Sequence, residues 1–184
     1  MGISSKVGRV PTVSGDWNDP KVWSPGGIPT KADSIFIPSG TVLRIPAGVS
    51  VNIGSLNIQG SIEHLGGPTD TIHIFGNWNN FGTFNSGNCT VSFDSTSQSI
   101  GKATFYNLVL RGGGVKTATD SLRIQNDLTL KGISFMDGGN TVRIAGNLQV
   151  NSNYVSTGTT VFNGNTTLSG DGSFKFRNVI ISGI

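Results

Sequence analysis

The sequence predicts an all-β protein, a single chain wound into a β-solenoid, and three observations carry that expectation. The composition is that of short strands joined by tight turns. Apolar residues recur in brief alternating bursts. Patches of sequence return at a common offset of about 70 residues, which points to a stacked architecture.

Composition comes first. Of 184 residues 27 are Gly and only 12% are charged, with Glu63 the single glutamate against nine aspartates. The straight-chain charged residues that sustain helices are scarce, while Thr, Ser, Asn, Val and Ile are plentiful, as in strands and turns. Apolar residues recur too regularly for a disordered chain. The formal charge of +3 reflects a shortage of acid, because Lys and Arg are scattered without a run of three. A nucleic-acid surface needs a basic stripe with interleaved aromatics, so no nucleic-acid partner is expected. Cys89 stands alone, which excludes an intramolecular disulfide and suits a small buried hydrophobe. No apolar run approaches the roughly 18 residues of a membrane span, and the first residues have no signal-like apolar core.

The bursts follow. Leu43-Arg44-Ile45, Leu56-Asn57-Ile58, Ile72-His73-Ile74, Leu108-Val109-Leu110, Leu122-Arg123-Ile124, Leu128-Thr129-Leu130 and Val142-Arg143-Ile144 place a central residue between two apolar ones. This is the period-2 pattern of a strand with one buried face. Ile74, Phe93, Leu108, Leu128, Ile144, Phe162 and Val179 are the expected inward residues.

The repeat decides the architecture. IFGNW at 74–78 returns as IAGNL at 144–148, and FYNLVLRG at 105–112 as FRNVIISG at 176–183. Division by four gives about 17.5 residues per coil, too short for a βαβ unit, and some seven to nine coils at the strand spacing of about 4.8 Å. An antiparallel sandwich also spaces strands by about 8 to 12 residues, but the long offset favours the solenoid. In GNWNNFGTFNSGNCTVSF (76–93) we expect Trp78, Phe81 and Phe84 to point inward, with Gly and Asn at corners that need a left-handed backbone.

Residues 1–40 read as an N-terminal arm and capping segment, and 41–184 as coils. Trp17, Trp23 and the prolines at 20, 25, 29 and 38 suit a lid over the first coil, since a solenoid otherwise exposes unpaired strand edges at its ends. The stretch from Trp17 through WSPGGIPTKADSIFIPSGTV, followed by GNWNNFGTFNSGNCTVSF and FYNLVL, resembles right-handed β-helix modules of large secreted surface proteins of Bacteroidetes-type bacteria, from about Ser14 onward. The resemblance implies a right-handed single-stranded β-helix in extracellular, largely non-catalytic adhesin or stalk material. Such proteins carry a signal peptide and a C-terminal sorting region, and neither is seen here. The alternative expectation is a virion component such as a bacteriophage fibre, tail or decoration protein, suited to a chain that begins at Met1 and keeps its strand pattern to RNVIISGI. An uncapped C-terminal edge would be covered by continuation of the same chain or by other subunits.

Catalytic and metal chemistry find little footing. A polysaccharide lyase or hydrolase needs paired carboxylates, whereas most acids sit in turns beside Gly, Ser, Asn or Thr. No catalytic residue, metal or cofactor is expected. His64 and His73, near Glu63 and Asp70, read as outward surface residues. Asp16-Trp17-Asn18-Asp19 lacks the pattern of a calcium loop and reads as a turn and cap. Arg44, Arg123 and Arg143 occupy the same point of the strand motif and form the candidate glycan-contact face, with cell-surface polysaccharide as the ligand. Their plainer role is to keep an exposed β surface soluble.

Overall fold

The structure, a computed structural model, describes residues 8–182. An entry segment contains β1 (Gly8–Pro11), β2 (Gly15–Asp16), a short 3-10 turn (Pro20–Val22) and β3 (Trp23–Ser24). Complete turns of three strands follow: β4 (Ser34–Ile37), β5 (Val42–Ile45) and β6 (Val51–Ile53), then β7 (Ser55–Ile58), β8 (Ser61–His64) and β9 (Thr71–Ile74). The third turn is β10 (Trp78–Asn80), β11 (Thr83–Asn85) and β12 (Thr90–Phe93), and the fourth β13 (Gln98–Ile100), β14 (Ala103–Phe105) and β15 (Asn107–Leu110). Beyond them run β16 (Val115–Ala118), β17 (Leu122–Ile124), β18 (Leu128–Met136), β19 (Thr141–Ile144), β20 (Leu148–Val155), β21 (Thr159–Phe162) and β22 (Leu168–Ser169). The long strands β18 and β20 each end one turn and begin the next; β18 shifts register between Lys131 and Ser134 as it rounds the corner. A last partial turn holds β23 (Ser173–Lys175) and β24 (Asn178–Ile181).

Every strand from β4 onward pairs in parallel with its counterpart one turn away, so three ladders form the faces of a β-solenoid of about seven turns. At about 4.8 Å per turn these stack to roughly 34 Å. The interior is a set of columns. Ile53, Ile74, Phe93, Leu110, Leu130 and Val150 stack on the third face, and Phe105, Ile124, Ile144 and Phe162 on the second. All are buried, and most strands contribute one or two side chains to a continuous core, while β22 and β24 are exposed along their length. Six of the seven expected inward residues are buried there. Val179 is the exception. It stacks in register on buried Thr160 but is 45% exposed, because no described strand lies beyond β24.

The offset of 70 residues has a different origin from four coils. Ile74 to Trp78 runs from the third face to the first, whereas Ile144 to Leu148 runs from the second to the third. The returning unit is one strand with its corner, and the offset spans three and two-thirds turns. Register steps between full turns run from 17 residues (Thr90 to Asn107) to 22 (Leu56 to Trp78), longer on the whole than expected.

Two local expectations are corrected. Phe81 is 77% exposed, while Trp78 and Phe84 are buried. It lies in the corner between β10 and β11, where its amide bonds Ile58 O and its side chain has no core beneath it. The asparagines do not supply left-handed backbone: among the described residues only Gly has positive φ. They act through their side chains. Asn77 Oδ1 accepts from Ser99 N (2.9 Å), Asn147 Oδ1 from Thr167 N (3.1 Å), and Asn107 Oδ1 from Asn126 Nδ2 (2.8 Å). Each ties a corner to the next turn where strand pairing lapses.

The entry segment lies at the N-terminal end of this stack. β1 and β2 pair in parallel with β4 and β5, while β3 closes antiparallel on β1. Parallel pairing thus begins before residue 41. Among the described residues no helix is long and apolar enough to cross a membrane.

Candidate functional site

On the second face the ladder is interrupted. Strands β2, β5, β8 and β11 form one sheet, and β14, β17, β19, β21 and β24 another. The first face thins at the same level: β10 pairs with β7 over three residues but with β13 only at Trp78 and Ile100. Aromatic packing bridges the gap from beneath. The ring of Trp78 meets those of Phe84 (4.7 Å), Phe105 (5.5 Å) and Phe93 (6.3 Å) edge to face. Gly82 lets the corner approach the preceding turn, since a Cβ there would lie 2.1 Å from Gly60 O.

Above this break a groove of about 960 Å³ opens to solvent. Phe81 and Lys102 line it with Asp120, Arg123 and Arg143, and Asn79, Asn80, Thr104, Thr119 and Ser121 contribute neutral donors and acceptors. Arg123 and Arg143 are exposed register partners on β17 and β19. Asp120 is the one acid of the lining, against three cations. The arrangement can bind an elongated, hydroxyl-rich or anionic ligand by fork-like hydrogen bonds, with one exposed aromatic face at the rim.

The three arginines singled out in the sequence do share the second face. Arg44 lies apart from the other two, across the ladder break, and its Nε is 3.7 Å from Glu63 Oε2. That exposed pair contributes little to stability. Trp17 and Trp23 are both buried, their rings 4.9 Å apart edge to face, and Trp23 Nε1 donates to Trp17 O (2.9 Å). Asp19 caps the 3-10 turn by accepting from Lys21 N.

Three polar clusters were not read from the sequence. On the third face, Asp94 joins three successive turns: its Oδ2 is 2.5 Å from His73 Nδ1, Arg111 Nε donates to its Oδ1 (2.6 Å), and Ser92 Oγ donates to it as well. Burial pushes the Asp94 carboxyl up, but the bonds from Arg111, Ser92 and His73 outweigh it and hold the group below its ordinary range. The second cluster corrects the reading of His64, which points inward and is buried. Its Nδ1 accepts from Gly66 N (3.2 Å) and its Nε2 lies 3.8 Å from Asp70 Oδ2. Burial lowers its pKa below the ordinary imidazole value, against the pull of Asp70. Cys89 is buried too, and burial with the Asp70 charge pushes its thiol up to about 12. This buried thiol is therefore no nucleophile at neutral pH.

The third gathers on buried Asp137, and the buried Lys116 holds a separate corner of the coil. Asp137 accepts from Ser156 Oγ (2.5 Å), Thr157 N (2.8 Å), Gly158 N (3.1 Å) and Gly139 N (3.0 Å). Lys116 Nζ donates to the carbonyls of Ser95, Thr96 (2.7 Å) and Gly113 (3.3 Å), and burial lowers its pKa to about 8. The signal for these contacts was the register: with steps of 17 to 22 residues, His73 falls beside Ser92, and Asp94 is two positions further on. Among the described residues no group of three His, Cys, Asp or Glu side chains converges as a metal site. Compared with protein-family models, curated proteins and solved structures, the chain finds no match in any of the three.

Proposed function

We propose that this chain is a non-catalytic structural and adhesive module of an extracellular surface protein, of the kind its Trp- and Pro-rich opening and its repeats resemble, and that it presents a stiff surface for attachment to polysaccharide. The observation that carries this reading is the open groove on the second face, lined by the adjacent Arg123 and Arg143 and by the exposed ring of Phe81. The third-face ladder runs unbroken through this level and the rings around Trp78 pack beneath the break, so the face is held in place although its own ladder is interrupted. Binding at one groove is weak, and adhesion arises from many copies. The test is to coat beads with the chain and offer acidic and neutral polysaccharides, recording retention and the release of reducing ends. Retention without cleavage is expected; cleavage abolished by changing a single aspartate refutes the reading.

The exposed strand β24 favours a second reading, assembly into a larger object such as a virion fibre. β24 is exposed along its length, with the apolar side chains of Val179, Ile180 and Ile181 open at the edge. Continuation of the same chain or another subunit would cover it. Sedimentation of the chain and of its Val179→Lys/Ile181→Lys variant tests this: association lost in the variant supports an assembling edge, and a monomer in both counts against it.

A further inference from the structure

We infer that the groove over the ladder break takes a carboxylated polysaccharide, a uronate-rich chain, with Arg123 and Arg143 as the carboxylate-binding pair and Phe81 as a stacking surface for a sugar ring. The inference rests on the attachment reading above and gives it a ligand class and an address.

The arginines carry the charge argument. Arg9 is bound to Asp33, Arg44 lies beside Glu63, Arg111 holds Asp94, and Arg177 donates to Thr157 O. Among the described residues Arg123 and Arg143 alone among the arginines have neither an ion pair nor a side-chain hydrogen bond, and they are neighbours in register. The two residues leave backbones one strand spacing apart, about 4.8 Å, and their uncommitted guanidinium forks suit the planar, bidentate geometry of carboxylates. Lys102 adds a third cation.

Phe81 supplies the second argument. It is the one aromatic side chain among the exposed large hydrophobic residues, and it stands in the groove wall. An exposed ring offers an apolar face to the apolar side of a sugar, while its neighbours Asn79 and Asn80, with Thr104 and Thr119 across the groove, suit hydroxyl groups. A nucleic-acid strand would require several stacking rings along a basic track. One ring among neutral amides and hydroxyls favours the glycan.

The experiment is a calorimetric titration at low salt with an oligogalacturonate, a neutral dextran oligomer and oligo-dT. It compares the wild type with Arg123→Gln/Arg143→Gln, Phe81→Ala and the control Arg44→Gln. All four positions are exposed, and circular dichroism verifies each fold. Oligogalacturonate should bind, the double variant should weaken it at least about ten-fold through lost charge-assisted hydrogen bonds, Phe81→Ala should weaken it several-fold, and Arg44→Gln should match the wild type. No binding of oligogalacturonate, equal binding of dextran, an Arg44→Gln effect equal to that of the double variant, or tighter binding of oligo-dT each overturns the inference. Retention of neutral polysaccharide on the coated beads would leave attachment standing while the uronate assignment falls. Beads that retain no polysaccharide refute attachment itself.

Discussion

Replacing Asp137 tests whether corner side chains hold successive turns together. The carboxylate is fully buried and accepts from the backbone amides of Gly139, Thr157 and Gly158 and from the hydroxyls of Ser156 and Thr157. In Asp137→Ala these donors lose their acceptor together. A buried donor left without a partner costs about 1 to 3 kcal/mol; since neighbouring losses relax jointly, the expected total is about 3 to 5 kcal/mol. Asp137→Asn keeps one oxygen and should cost less. Burial pushes this carboxyl up, but the bonds from Ser156, Thr157, Gly139 and Gly158 outweigh it, and the folded-state value lies below the ordinary one. A depressed carboxylate contributes stability that is fully present above its unfolded pKa, near 3.9, and lost as pH falls through the folded value. The stability gap between wild type and Asp137→Asn should therefore be constant above about pH 5 and shrink below about pH 4. Urea unfolding followed by far-ultraviolet circular dichroism, repeated from pH 7 to pH 2.5, measures both effects. An Asp137→Ala variant within about 1 kcal/mol of wild type at pH 7, or a gap that does not change on acidification, would refute the reasoning.

Trp78→Ala removes the ring on which Phe84, Phe93 and Phe105 converge at the ladder break, and should cost about 3 to 5 kcal/mol; a midpoint unchanged in urea would show that the break needs no aromatic bridge. Trp23→Ala should cost a similar 3 to 5 kcal/mol and, if the entry segment serves as a lid, promote end-to-end association on sedimentation. A stable, monomeric Trp23→Ala variant would deny it that role.

Architecture was legible because it rests on pattern. Leu43, Ile45, Ile62, Ile72 and Ile74 alternate with polar neighbours and turn inward as period 2 requires. The coil length was not legible from the repeat, because three similar corners per turn let Ile74-Phe75-Gly76-Asn77-Trp78 match a segment displaced by a fractional number of turns. Phe81 defeated the pattern because a corner residue follows neither face, and its hydrophobicity carries no information on direction. His64 was misread because an imidazole at the end of a strand faces in or out according to the strand's phase, which places it with Ile62 on the core side. The Arg123 and Arg143 pair was visible as a recurring motif, and its separation from Arg44 was not, since the ladder break leaves no local mark on the strands β11 and β14. The Asp94 and Asp137 clusters depend on register between turns, which a chain with variable corner lengths conceals until the strands are aligned.

The most direct test of the account is a crystal structure of the chain grown with an oligogalacturonate. The account predicts parallel turns stacked in the registers described, with sugar carboxylates on Arg123 and Arg143 and a sugar ring against Phe81. Two facing antiparallel sheets would contradict the fold, and an intact solenoid with the sugar bound outside the groove, or not bound at all, would contradict the site.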